Sequence, residues 1–293
     1  MKITLTGSLG HISKPLTEAL TAAGHTITLI SSDPAKAAAI SALGAIPAIG
    51  SVTDIGFLTK TFTGADAVYT MVPPNFTAND WKAYIAGIGQ NYAAAVKASG
   101  VKHVVNLSSI GAHLAEGAGP VSGIHRVEQV LNALDDVNVL HLRPGYFYTN
   151  FYNNAGMIRN MHILGGNNNG DTIQVLVDPV DIAKAAAGVL QTLSFTGKSF
   201  RYVVSDIRTS SEIAAVLGKA VGQPALPWVE FTDQQLKEAM LQNGLPEEIV
   251  NNYVEMGAAV RSGKFFEDFK GAPAGTKLET FAGEFAQIYK ATA

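Results

Sequence analysis

The tightest constraint on this chain is a glycine turn set between a short strand and a helix. Residues 2–6 form a β-rich run, Gly7-Ser8-Leu9-Gly10-His11-Ile12 follows, and a helical pattern runs from Ile12 to Ala23 and stops at Gly24. A second β-branched, apolar run lies at 26–30, which reads as a buried strand. A strand, a helix and a strand in this order close as a right-handed crossover between parallel neighbours.

The alternation continues. Asp33-Pro34 reads as an N-cap with proline at the first helical position, opening a helix that stops at Gly44. Residues 46–49 are a third strand, Thr53-Asp54 opens a short helix ending before Gly64, and 67–71 are a fourth strand. Asn79-Asp80 caps a long helix over 81–99, closed by Gly100. Residues 103–107 and 137–142 are the fifth and sixth strands, with a helix over 123–134 between them. Strands apolar on both faces require helices on both sides of the sheet. The fold class is therefore α/β, a doubly wound parallel sheet of the Rossmann type, with a smaller, mainly helical C-terminal lobe. Only 15% of residues are charged, against about 25% in an average soluble domain, as a sheet buried on both faces demands.

The expected organisation is a nucleotide-binding domain over 1–150, with 171–205 returning to its sheet through strands at 173–177 and 200–205. A substrate lobe over 151–170 and 206–293 completes the chain, with a turn cluster at Gly165-Gly166-Asn167-Asn168-Asn169-Gly170 and helices at 211–221, 233–243, 246–261 and 277–290.

In such a turn the first glycine, Gly7, makes the bend and Gly10 lets backbone approach a pyrophosphate. The helix start offers free N–H groups and a positive dipole end. Gly7, Ser8, Leu9, Gly10, His11 and Ile12 are thus candidate cofactor-binding residues. The end of the second strand carries Ser31-Ser32, with Lys36 one turn later. No acid occupies the strand end to hold a ribose 2′-hydroxyl, and Asp33 reads as the N-cap, which favours NADP(H) over NAD(H). Val72 and Pro73, after the fourth strand, are expected to run along the cofactor, although a proline there also suits a plain turn.

Several classes are excluded. A net charge of −3 gives no footprint for nucleic acid. No uncharged apolar run reaches the roughly 18–20 residues of a spanning helix. There is no cysteine, so no disulfide or thiolate metal site. Seven histidines show no HxxxH or HExxH spacing, and no metal is expected. No signal-peptide pattern opens the sequence, and the expected location is cytoplasmic.

The residues resemble the NmrA-like group, the atypical short-chain dehydrogenases/reductases. Thr6-Gly7-Ser8-Leu9-Gly10-His11-Ile12 resembles its TGxxGxxG opening, and Val104-Val105-Asn106-Leu107-Ser108-Ser109 its fifth strand with following serines. The stretch Glu128 to Leu131 resembles its glutamate-bearing helix, Leu142-Arg143-Pro144-Gly145-Tyr146-Phe147-Tyr148-Thr149-Asn150 its LRPxxFxxN segment, and Val177-Asp178-Pro179-Val180-Asp181-Ile182-Ala183 its VDxxDIA segment. The matches keep their order over about residues 3–190, while the last hundred residues match loosely. The resemblance implies an NAD(P)H-dependent oxidoreductase reducing a quinone or similar flat acceptor, another NADPH-dependent reductase, or a catalytically silent NADP(H) sensor acting through a protein partner. A nucleotide-sugar epimerase is a remote alternative.

Two departures from that pattern matter. The wider superfamily carries a Tyr-xxx-Lys pair on the helix after the fifth strand, where the tyrosine donates a proton and the lysine lowers its pKa. Aligning on Glu128 puts Val121 and His125 there. An arginine common after the second strand is replaced by Ser31-Ser32. The remaining candidates for chemistry are Ser108, which could orient a carbonyl or the nicotinamide amide or simply satisfy the strand end; His125, an acid near neutral pH or a surface histidine; and Tyr146, which with Phe147 and Tyr148 either lines an apolar pocket or packs in the core. A small apolar or aromatic acceptor is the expected partner.

Overall fold

A computed structural model of the chain describes residues 1–291. The first half runs β1 (Lys2–Leu5), α1 (Ser13–Ala22), β2 (Thr26–Ser31), α2 (Ala37–Ala42), β3 (Ile46–Ile49), α3 (Ile55–Phe62), β4 (Ala67–Thr70), α4 (Trp81–Ser99), β5 (His103–Leu107), α5 (Pro120–Asn132) and β6 (Asn138–Pro144). The second half runs β7 (Tyr146–Phe147), α6 (Ala155–Met161), β8 (Leu164–Gly166), β9 (Ile173–Val177), α7 (Pro179–Leu190), β10 (Lys198–Val203), β11 (Asp206–Thr209), α8 (Ser210–Ala220), β12 (Trp228–Glu230), α9 (Asp233–Gln242), α10 (Glu247–Arg261) and α11 (Leu278–Ala291).

Seven strands form the central sheet in the order β10-β6-β5-β4-β1-β2-β3, and every neighbouring pair is parallel. The strand order reverses between β1 and β4, so a crevice opens at their carboxyl ends. Side chains alternate between the faces. Val68, Val104 and Val139 pack against residues of α3, α4 and α5, while Tyr69, Val105 and Leu140 pack on the face covered by α1 and α7. Asp80 caps α4 by accepting from Ala83 N at 2.8 Å, and Gly100 ends that helix in a left-handed conformation.

The stretch 171–205 divides. Its strand β10 completes the central sheet, as expected. Its strand β9 does not: it pairs with β7 in parallel and with β11 antiparallel in a separate three-stranded sheet. The bend is made at Gly145, where a Cβ would sit 2.5 Å from the Val175 carbonyl oxygen. β8 and β12 form a further pair inside the turn-rich stretch. The small lobe has its own aromatic core, including Tyr148, Phe151, Phe281 and Phe285.

Four acidic residues fasten this lobe and its entry. Glu248 of α10 accepts from Trp81 N at 2.9 Å, which caps the first turn of α4, and Glu255 pairs with Lys82 at 2.7 Å. Asp181 accepts from Ser205 Oγ and from Thr276 N, both at 2.7 Å. Asp206 accepts from Leu278 N at 3.2 Å. The aspartates around the VDxxDIA segment thus hold the backbone that leads into α11.

A polar thread crosses the core. Thr70 Oγ1 donates to Asn106 Oδ1 at 2.9 Å, Asn106 Nδ2 donates to His141 Nδ1 at 3.1 Å, and His141 Nε2 donates to Asn132 Oδ1 at 3.0 Å. This arrangement uses the neutral imidazole, and burial lowers its pKa to about 4. Between about pH 6.5 and 4 the unfolded chain binds a proton that the folded chain refuses, so stability falls as pH drops through that window, by up to about 3 kcal/mol at its lower end. Urea unfolding at stepped pH should show this slope, and His141→Gln should flatten it between about pH 6.5 and 5, above the usual carboxylate range.

Candidate active site

The glycine turn is held by its neighbours at the crevice. Thr6 is fully buried; its Oγ1 accepts from Met71 N at 2.8 Å and its carbonyl accepts from Ser13 Oγ at 2.8 Å. Gly7 has φ +98°, and a Cβ there would lie 2.3 Å from Ser13 Oγ. Ser13 therefore takes the third small position of the turn and closes it with a hydrogen bond. Ser8 lies in the left-handed region at φ 53°, with its N donating to Ile30 O and its Oγ to Ser31 Oγ at 2.9 Å. Gly10 and His11 are exposed, Leu9 is half-buried and Ile12 is buried. The start of α1 has no side-chain cap and no acid in its first turn. Open N–H groups facing a bare Gly10 fit the pyrophosphate of a dinucleotide.

At the end of β2, Ser31 is buried and its hydroxyl is engaged within the protein: it accepts from Ser8 Oγ and Asp33 N and donates to Asp33 O. It braces the turn and does not face outward. Ser32 and Lys36 are on the surface, and Asp33 accepts from Ala35 N at 2.9 Å as an N-cap. Past β4, Met71, Val72 and Pro73 are half-buried in extended chain. Tyr92 donates to Met71 O at 2.6 Å and Tyr84 to Pro73 O at 3.2 Å. These two phenols, both on α4, hold the segment beside the glycine turn.

Ser108 is buried past β5 and donates its proton to Glu128 Oε1 at 2.5 Å. Glu128, 3% exposed, takes Arg143 Nε at 2.9 Å and Nη2 at 2.7 Å. Arg143 also donates to Asp268 at 3.0 Å and lies 4.0 Å over the Phe200 ring. Ser108 can therefore accept a hydrogen bond from a ligand, but its own proton is already placed. Ser109 donates to Ile110 O.

On α5, Val121 is buried in an apolar cluster with Ile110, Ala112 and Phe265. His125 is half-buried, and its Nδ1 donates to Ala112 O at 2.8 Å, which leaves Nε2 as the acceptor nitrogen. No phenol with a lysine beside it stands on this face of the helix. Of the three aromatics after β6, Tyr148 is fully buried, donates to Thr276 O and stacks on Phe281. Phe147 packs against the main core. Only Tyr146 is exposed, with its ring 5.4 Å from Phe151 and its hydroxyl engaged by Asn150. Burial of that hydroxyl, with Tyr253 beside it, pushes the phenol well above its ordinary pKa.

Tyr253 was not singled out by sequence. It lies on α10, and its ring meets Trp81 edge-on at 5.4 Å; Phe76 also lies 5.7 Å from Trp81. A lone tyrosine in an amphipathic helix reads as packing, and only the docking of α10 onto α4 shows where it lies.

Residues 7–192 match the model of a family described as NAD(P)H-binding. No curated protein matches the chain by sequence. In fold it is similar to an NADPH-dependent quinone oxidoreductase from Escherichia coli complexed with NADPH, with a TM-score of 0.82 at 23% identity over 96% of this chain and 99% of that one. It is also similar to a triphenylmethane reductase from Citrobacter sp., with a TM-score of 0.79 at 20% identity over 98% of this chain and 100% of that one. A nucleoside-diphosphate-sugar epimerase from Staphylococcus aureus gives a TM-score of 0.79 at 18% identity over 97% and 100%. At these identities the likeness is one of fold.

Two outcomes are expected. Gly10→Val puts a branched side chain over the open N–H groups and should weaken NADPH binding, read by fluorescence titration, by at least about 100-fold, or about 2.7 kcal/mol. Because a Cβ at Gly10 would also lie 3.1 Å from the Gly7 carbonyl oxygen, the variant's melting temperature is measured alongside to separate lost binding from a disturbed turn. Glu128→Ala leaves Arg143 buried beside Asp268 alone and should cost about 3 kcal/mol in urea unfolding, while replacing both Glu128 and Arg143 by apolar residues should recover part of that loss.

Proposed function

The chain belongs to the NAD(P)H-binding family, and on that premise we propose that it is an NADP(H)-dependent reductase acting on a quinone or a similar flat, conjugated acceptor. The observation that carries this reading is the buried Val121, packed in the core where the superfamily pattern places a proton-donating tyrosine. A ketone reductase or a sugar epimerase needs a positioned acid, worth about 100-fold to 10,000-fold. A quinone does not, because its reduced oxygen takes a proton from water.

The residues present fit such a cofactor. The uncapped α1 and Gly10 would receive the pyrophosphate, and Met71 to Pro73 would lie along the dinucleotide. The end of β2 presents exposed Ser32 and Lys36 and no free acid, which supports a 2′-phosphate over a bare ribose. When bound, the nicotinamide supplies the hydride. The exposed Tyr146 ring would offer the acceptor apolar contact, and Ser108, its proton held by Glu128, would accept a hydrogen bond from a donor such as the nicotinamide carboxamide, since a quinone has none to give. His125 Nε2 remains free to accept from a ribose hydroxyl.

A second reading, a silent NADP(H) sensor with a protein partner, draws on the same Val121 and on the engaged Ser108. Cofactor oxidation with a panel of benzoquinones, naphthoquinones and ketones separates the two. We expect turnover with quinones at least about 100-fold faster than with ketones. Tight NADPH binding with no turnover on any acceptor would leave the sensor. Lys36→Glu should lower the NADPH-over-NADH preference by about tenfold in the same titration, and an unchanged preference would remove Lys36 from the 2′-phosphate site.

A further inference from the structure

The aromatic residues at the mouth of the crevice form a chain contributed by three separate parts of the sequence. Phe76 comes from the segment after β4, Trp81 from the first turn of α4, Tyr253 from α10 in the small lobe, and Tyr146 from β7. Phe76 and Tyr253 both meet the Trp81 ring, at 5.7 and 5.4 Å, and the Tyr146 ring lies 5.4 Å from Phe151. Trp81 is 5% exposed, whereas Phe76 is 49% and Tyr146 is 37% exposed. Two open aromatic rings thus flank a buried indole and a half-buried phenol. Large exposed aromatics beside a crevice cost solvation unless a ligand covers them.

The charges around this cluster are already satisfied. Glu248 takes Trp81 N and Asn252 Nδ2, and Glu255 takes Lys82. The Tyr253 phenol is raised by burial and stays neutral. What remains available is π surface, chiefly the exposed rings of Phe76 and Tyr146. That chemistry recognises a flat, conjugated, neutral molecule by offset stacking.

We propose that Phe76, Tyr146 and Tyr253 form the slot that receives the acceptor, and that Tyr253, supplied by the small lobe, sets which acceptors are taken. The proposal rests on the reductase reading and deepens it. The sheet edge would hold the cofactor, while α10 brings the acceptor's stacking partner. Because α10 is fastened to α4 through Glu248 and Glu255, the slot is preformed.

Binding can be read without turnover. The chain has two tryptophans, and Trp228 belongs to the small lobe's own core, with its indole N–H on Asn168 O. In the Trp228→Phe protein Trp81 is the single reporter. Titration with a 1,4-naphthoquinone in the absence of NADPH should quench its emission saturably. In that background Tyr253→Ala should raise the quinone Kd about tenfold, and Tyr253→Phe, which keeps the ring, should restore most of it. In turnover assays on the otherwise unaltered chain Tyr253→Ala should move the quinone KM more than kcat. An unchanged NADPH Kd certifies that each variant is folded; where Tyr253→Ala fails this test, Tyr253→Leu replaces it. Absence of saturable quenching, or a quinone affinity indifferent to loss of the Tyr253 ring, overturns the proposal, even if quinones are turned over. Saturable, Tyr253-dependent binding with no turnover keeps the slot and removes the reductase reading instead.

Discussion

A guanidinium cannot be buried alone, and much of the site is arranged around one that is. Arg143 lies near the carboxyl end of β6 in the central sheet, with its side chain 7% exposed. Its charge is met by Glu128 from α5 in a two-pronged pair and by Asp268 from the C-terminal segment. Removing either carboxylate would leave an expensive orphan. The pair fixes how α5 lies on β5 and β6, and Glu128 then has an oxygen aimed at Ser108. Asp268 brings in the segment between α10 and α11, so one cation joins the nucleotide-binding sheet, a serine at its edge and the end of the small lobe.

Apolar packing joins the small lobe to the main domain as well: Ile249 lies in one cluster with residues of α4 and α5, and Ala259 and Phe265 pack with Ile110 and Val121. Three of the lobe's polar ties reach elements of the main domain: Glu248 on the first turn of α4, Thr276 on Asp181 of α7, and Asp268 on Arg143. Each tie also satisfies a backbone N–H or a charge that burial would otherwise strand. Holding the lobe and shaping the crevice are the same set of bonds.

The sheet was legible in the sequence because its signals are local. Runs such as 103–107 are apolar on both faces, and Asp80 and Gly100 mark helix ends by rules that need no partner. The glycine turn was legible for the same reason. The small sheet was not. β7 is two residues long, and β9 reads as one more buried strand; that it leaves the central sheet depends on Gly145 abutting Val175, a contact between segments 30 residues apart. Side-chain roles were legible only where no distant partner decides them. Ser108 and Ser31 look alike as serines at strand ends, yet Glu128 takes the proton of one and Asp33 with Ser8 encloses the other. Tyr253 carries no local signature, and its place is set by the docking of α10.

The small lobe is assembled from stretches on either side of β10, which is itself the last strand of the central sheet. During synthesis the glycine turn, β4 and β5 emerge early and can close on one another while the chain is still being extended. The edge of the sheet waits for residue 203, and the wall contributed by α10 waits for the helix that ends at Arg261. A nascent chain therefore presents the glycine turn before α7, which shares its core cluster with α1, and before the wall contributed by α10.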